Sequence, residues 1–195
     1  GLAAAEDAAA AATTTAATEA PPTVQDLNAR GYAQWTPTSP KNTPAAWKEQ
    51  VAAGYTELLR LDRDWLVITK PRIEGDVPDG DAVRRVVGTV GTSSPLYGIR
   101  AVFRNIREYY QENDDTSVDF VDFAEKAGEI ESKLTDVDFL AYSTIFADPS
   151  GGAGSSKMSS AAYLEKTNAA LKAMLPLYLD LLESLGIKAG TAGRL

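Results

Sequence analysis

Apolar side chains recur at intervals of three and four in four stretches of the chain. The first stretch holds Trp47, Val51, Gly54, Leu58, Leu61, Trp65 and Ile68. The second opens with Val83, Val86, Val87 and Val90 and resumes with Ile99, Phe103, Ile106 and Tyr110. The third holds Phe120, Phe123, Ala127, Ile130, Leu134, Val137 and Ala141, and the fourth Leu164, Asn168, Leu171, Leu175, Tyr178, Leu182 and Leu185. That spacing places each set on one face of an α-helix. It predicts helices over about 44–69, 81–111, 118–147 and 159–185. Residues 65–69 are the one local competitor for a strand, and the longer helical period overrides them.

Capping and breaking residues sharpen these bounds. Thr43 is a cap followed by Pro44 at the first helical position, and Lys70-Pro71 stops the first helix. Gly75-Asp76 and Asp79-Gly80 mark a turn. Gly88 and Gly91 weaken the second helix, because glycine carries the largest backbone entropy cost there. Ser94 then offers a cap and Pro95 a first position, so this helix is expected to break near 88–94 and restart at once. Ser117 is expected to cap the third helix. Residues 148–156 read as a flexible loop, Ser159 or Ser160 starts the fourth helix, Pro176 should kink it, and Gly186 closes it.

Residues 3–20 are almost entirely alanine and threonine, with no side chain large enough to form a core. Residues 1–42 therefore read as an extended arm. Residues 43–190 read as an all-α, antiparallel four-helix up-down bundle with short connections. Residues 23–42 hold Val24, Leu27, Tyr32 and Trp35, and the last three are the arm's candidate anchors. They are candidate anchors on a partner, or else residues that fold back on the bundle.

Composition narrows the chemistry. The chain of 195 residues carries 19 Lys and Arg against 27 Asp and Glu, a formal net charge of −8. That balance argues against nucleic acid, which requires a basic surface. No run of apolar residues is long enough to span a membrane. Cysteine and histidine are both absent, which removes thiol and imidazole catalysis and most transition-metal sites. No cofactor, metal or small-molecule substrate is expected, and the chain is not expected to be an enzyme. Residues 88–94, Gly-Thr-Val-Gly-Thr-Ser-Ser, lack the lysine and the preceding strand of a phosphate loop. Asn168, Thr167 and Asp62 are the candidate polar groups for a helical-bundle ligand carrier.

Two charged stripes remain. Arg100, Arg104 and Arg107 share one helix face, and Arg84 and Arg85 open the same broken helix. Arg100, Arg104 and Arg107 read as a basic seam for an acidic partner or as a solvated face with internal ion pairs. Asp122, Glu125 and Glu129 form an acidic stripe beside the third apolar face. It reads as a solvated face, as a partner of the arginine seam, or as a carboxylate metal site, which lacks the histidines of a di-iron bundle and the spacing of a calcium loop.

Residues 83–99, Val-Arg-Arg-Val-Val-Gly-Thr-Val-Gly-Thr-Ser-Ser-Pro-Leu-Tyr-Gly-Ile, resemble the PsbQ-like extrinsic proteins of photosystem II in red-lineage algae (red algae, diatoms and their relatives). Residues 43–190 follow the family only by pattern: long helices, a Pro/Gly loop and a last helix ending Leu-Leu-Glu-Ser-Leu-Gly. The resemblance implies a four-helix bundle in the chloroplast thylakoid lumen, peripheral to the membrane. It also implies a non-catalytic role that stabilises the oxygen-evolving complex and helps retain calcium and chloride. Its expected partners are the photosystem II core and other extrinsic subunits. The family does not supply contacts residue by residue, so Leu27, Tyr32, Trp35, Arg84, Arg85, Arg100, Arg104 and Arg107 are candidates from patterning. The long Ala/Thr arm is not part of the family pattern, and a lumenal subunit of photosystem I or of an antenna-associated complex is the alternative. The chain begins at Gly1 rather than Met. Leu2-Ala3-Ala4-Ala5 before Glu6 is similar to a signal cleavage motif and adds to the expectation of a lumenal location.

Overall fold

The computed structural model describes residues 34–149 and 158–188. Among them the chain forms six helices and no strand. In chain order they are α1 (Pro44–Arg63), α2 (Trp65–Ile68), α3 (Gly80–Val86), α4 (Ile99–Glu112), α5 (Phe120–Phe146) and α6 (Ser160–Ser184).

Local chemistry sets the boundaries. The Thr43 hydroxyl accepts from the Ala46 N–H, and Pro44 follows it, so two devices open α1 together. The helix expected over 44–69 is interrupted once. Asp64, at φ −100 and ψ 20, separates α1 from α2, and the Arg63 guanidinium grips its carboxylate. Gly186, at φ 72, ends α6 as expected: its N–H reaches the Glu183 carbonyl, and that of Ile187 reaches Leu182.

Three expectations are corrected. The third helix is capped by Asp119, whose carboxylate accepts from the Val121 and Asp122 N–H groups, rather than by Ser117. The Ser117 N–H instead closes a turn on the Asp115 carboxylate. The break in the second helix is also wider than the glycines alone suggested. α3 ends at Val86, and α4 does not start until Ile99, after Gly98 at φ 71. Ser94 does not cap a helix at Pro95. Its hydroxyl donates to the Val86 carbonyl and accepts from the Leu96 N–H, pinning the loop between α3 and α4. Finally, the fourth stripe is borne out at Leu171, Tyr178, Leu182 and Leu185, which are buried, while Leu164 and Leu175 pack half-buried against the core and Asn168 is half-buried. The face is centred nearer Thr167, Met174 and Leu181, which are fully buried and were not in the expected stripe. α6 runs through Pro176 as one continuous helix.

The other predicted stripes form one core. Val51, Leu58, Leu61, Val83, Phe123, Ile130, Val137, Leu171 and Tyr178 are completely shielded from solvent. Each such large apolar side chain contributes about 1.5–3 kcal/mol when fully buried. α5 and α6 pack along one another, α1 packs on both α6 and α4, and α4 packs on α5. The short α3 lies against α5 and α1. Gly80 permits that approach, because a Cβ there would sit 2.2 Å from the Ala141 carbonyl oxygen of α5. Tyr55 stacks on Tyr178 with ring centroids 5.7 Å apart, and Phe103 meets Phe123 edge-on at 6.0 Å.

Candidate interaction surface

The five candidate arginines, Arg84 and Arg85 of α3 and the seam of Arg100, Arg104 and Arg107, have different fates. Arg84 is consumed internally. Its Nε donates to Asp138 at 2.9 Å on α5 and its Nη1 to Asp81 at 3.2 Å on its own helix. The guanidinium also lies over the Tyr142 ring, 5.0 Å from the centroid. Burial pulls this guanidinium's pKa down, and the Asp138 and Asp81 carboxylates more than offset it, holding it above the ordinary value. Arg84 is thus a clamp between α3 and α5. Arg85 is half-exposed on the same helix, with no ion pair among the described residues.

Arg100 reaches across to α5, where it donates to the Thr135 hydroxyl at 2.6 Å and the Glu131 carbonyl at 3.4 Å. Arg104 and Arg107 are exposed on α4 and carry no ion pair among the described residues. Their positive charge therefore faces outward from a chain whose net charge is negative. The acidic stripe does not meet them. Asp122 pairs with Lys126 one turn along at 2.7 Å, and no described ion pair joins Asp122, Glu125 or Glu129 to the arginines.

Of the aromatic anchors, Leu27 and Tyr32 lie outside the described residues. Trp35 is described and folded back on the helices. Its backbone N–H donates to the Ser93 carbonyl at 2.9 Å, and its side chain is half-buried. A few residues on, the strap is gripped by Glu49 of α1. The carboxylate accepts from the Thr38 N–H at 2.7 Å, the Thr38 hydroxyl at 3.0 Å, the Ser39 N–H at 3.1 Å and the Ser39 hydroxyl. The Ser39 hydroxyl, more than the other donors, holds the Glu49 carboxyl below its ordinary pKa. Residues 34–42 are thus part of the folded unit.

A second surface went unpredicted. Phe139, Tyr142 and Phe146 project from the outer face of α5, and Phe139 and Phe146 are 64% and 70% exposed. The Tyr142 and Phe146 rings touch, with centroids 4.6 Å apart. Leu66, on α2, and Ile73, in the connection to α3, are also strongly exposed. Phe139, Tyr142 and Phe146, left wet on one helix face, form a candidate interaction surface. The signal was available: positions 139, 142 and 146 repeat by three and four beside the buried series Val137, Ala141 and Thr144.

Two of the three polar groups considered for a ligand carrier have structural roles, and the third, Asn168, is half-buried on α6. The buried Thr167 hydroxyl donates to the Tyr163 carbonyl at 2.7 Å, and Asp62 pairs with Lys172 at 2.7 Å across α1 and α6. Among the described residues every buried side-chain polar atom has a partner, and no helix is long and apolar enough to cross a membrane. No family model matches the chain, and no curated protein or solved structure matches it.

Proposed function

We propose that this chain is a non-catalytic interaction subunit, an extrinsic component of photosystem II on the lumenal side of the thylakoid membrane. The observation that carries the interaction role is the outward row of Phe139, Tyr142 and Phe146 on α5. Arg104 and Arg107 on α4, which have no ion pair among the described residues, add a basic element suited to an acidic partner surface. The resemblance of residues 83–99 to the PsbQ-like proteins makes the partner specific. In that reading the four long helical segments form an antiparallel up-down bundle. The neighbour relations α1–α4, α4–α5, α5–α6 and α6–α1 support such a ring.

The mechanism is indirect. The subunit covers the photosystem II core and neighbouring extrinsic subunits, restricts solvent exchange near the oxygen-evolving complex and so helps retain calcium and chloride. It ligates neither ion itself and acts on no small-molecule substrate or nucleic acid.

Rebinding to salt-washed photosystem II tests this proposal. The full chain, a version beginning at Thr43 and the double variant Phe139→Ser/Phe146→Ser are compared. The expected result is binding by the full chain with recovered oxygen evolution, and loss of binding in the double variant. No binding and no recovery with the full chain overturns the photosystem II reading. Photosystem I and antenna complexes are then the next surfaces to test.

A further inference from the structure

A groove of about 340 Å³ opens where the strap at 34–42 crosses the first turns of α1, the loop before α4 and α4 itself. That volume lies at the lower end of the range for small-molecule sites. Three aromatic side chains line it, the half-buried Trp35 and Trp47 and the exposed Tyr97. Trp47 is held edge-on against Tyr109, with centroids 6.1 Å apart. The Gln50 amide braces the wall at Tyr97 by donating to the Pro95 and Tyr97 carbonyls at 2.9 and 3.1 Å. Gln34, Thr36, Asn42, Thr92 and Asn105 also line the groove, and their side chains make no hydrogen bond to any described residue. Lys41 is the one charged lining residue, and no carboxylate is among them.

The polar lining narrows the ligand class. These five amide and hydroxyl side chains each donate and accept, and none carries a charge. An anionic group only accepts, and an apolar ligand does neither. Either one would leave part of the lining desolvated without a partner, which costs free energy. A hydroxyl donates and accepts at one atom, so neighbouring hydroxyls match such a lining in either orientation. The aromatic walls add a second requirement. The negative face of an indole or phenol attracts a rigid patch of C–H groups, which an open-chain polyol lacks. A pyranose ring offers both, with hydroxyls around its edge and axial C–H groups across its face. We infer that this groove is a binding site for a short neutral saccharide. A free oligosaccharide and the sugar headgroup of a glycolipid present the same chemistry. α5 contributes no residue to the groove, so this inference stands or falls separately from the docking role of its aromatic row.

The test uses the full chain and its intrinsic fluorescence, since two of its three tryptophans line the groove. The soluble probes are lactose, maltotriose and the methyl glycosides of galactose, glucose and mannose. Sorbitol serves as the open-chain polyol and benzoate as the flat anion. Phosphatidylcholine vesicles with and without digalactosyl diacylglycerol form the lipid arm. A saturable change with a soluble sugar, at a dissociation constant of about 1 mM, supports the site and assigns the free ligand. Retention by the sugar-bearing vesicles alone supports it and assigns the headgroup. Tyr97→Ala and Asn105→Ala are each expected to weaken binding at least about fivefold with an unchanged melting temperature, while Lys41→Ala stays within about twofold of wild type. No response to any sugar or to the sugar-bearing vesicles overturns the inference. So does sorbitol or benzoate binding as tightly as the best sugar, and so does full binding retained in both Tyr97→Ala and Asn105→Ala.

Discussion

The Tyr178 hydroxyl donates a hydrogen bond of 2.8 Å to the Val51 carbonyl oxygen, linking the buried face of α6 to that of α1. Burial pushes the phenol's pKa well above its ordinary value, so the donor persists at every physiological pH. One turn along α1, Gly54 leaves room for it. A Cβ at position 54 would lie 2.5 Å from the Tyr178 oxygen and 2.7 Å from Leu96 Cδ2.

Gly54→Ala should therefore destabilise the fold by about 1–3 kcal/mol through overpacking. Tyr178→Phe should cost about 1 kcal/mol through the lost hydrogen bond. The two changes are coupled, because removing the hydroxyl removes the nearest atom in the clash. In a denaturant double-mutant cycle the pair is expected to cost less than the sum of its parts. Strict additivity would show that the oxygen is not what excludes a methyl group at position 54.

The glycines at 88 and 91 make a sharper comparison, since both have positive φ, at 85 and 70 degrees. Gly91 has open space around it, whereas a Cβ at Gly88 would meet the Leu96 and Tyr97 backbone at 2.5 Å. Gly91→Ala should cost only the left-handed backbone term, about 1–2 kcal/mol. Gly88→Ala should cost clearly more, because backbone cannot swing aside as a side-chain tip can. Equal melting temperatures for the two variants would refute this reading of the loop.

How far the sequence revealed these features follows from what each depends on. Helix existence and three of the apolar faces rest on periodicity, which survives any particular neighbour, and they were legible. The α6 face was legible only in part: Leu171, Tyr178, Leu182 and Leu185 are buried as the spacing predicts, but Thr167 and Met174 belong to an overlapping three–four stripe that packing selects. Ser94 looked like a cap because serine before proline commonly is one. Its Val86 partner lies across the loop, a distance that local rules do not cover. The arginine stripe was legible as a pattern but not as a function. Asp138, far along the chain from Arg84, decides which arginine is withdrawn from the surface.

That division gives a prediction for the arginines. Arg84→Ala removes the bonds to Asp138 and Asp81 and the contact with Tyr142, and it should lower stability by about 1 kcal/mol. Arg104→Glu/Arg107→Glu alters exposed, unpaired side chains, and its stability should stay within about 0.5 kcal/mol of wild type. In the rebinding assay the order should reverse, with the double variant impaired at low salt and Arg84→Ala binding once folded. If the double variant binds like wild type across ionic strengths, the outward charge of α4 takes no part in docking.

The strap supplies a pH-dependent outcome. Glu49 is held below its ordinary carboxyl value of 4.5 by the Ser39 hydroxyl and the other strap donors. A carboxyl lowered by folding contributes fully above its unfolded value, and its contribution disappears as pH falls through the folded one. The strap should therefore stay seated through neutral and mildly acidic buffer and release only below the ordinary value. Trp35 travels with it, so indole fluorescence should shift at that step while the helical circular dichroism signal holds. Glu49→Gln replaces the acceptor-only carboxylate with a group that also presents donors to the Ser39 and Thr38 hydrogens. It should loosen the strap at neutral pH and erase the acid step. A wild-type step at or above pH 4.5, or the same step retained in Glu49→Gln, would show that other groups hold residues 34–42 in place.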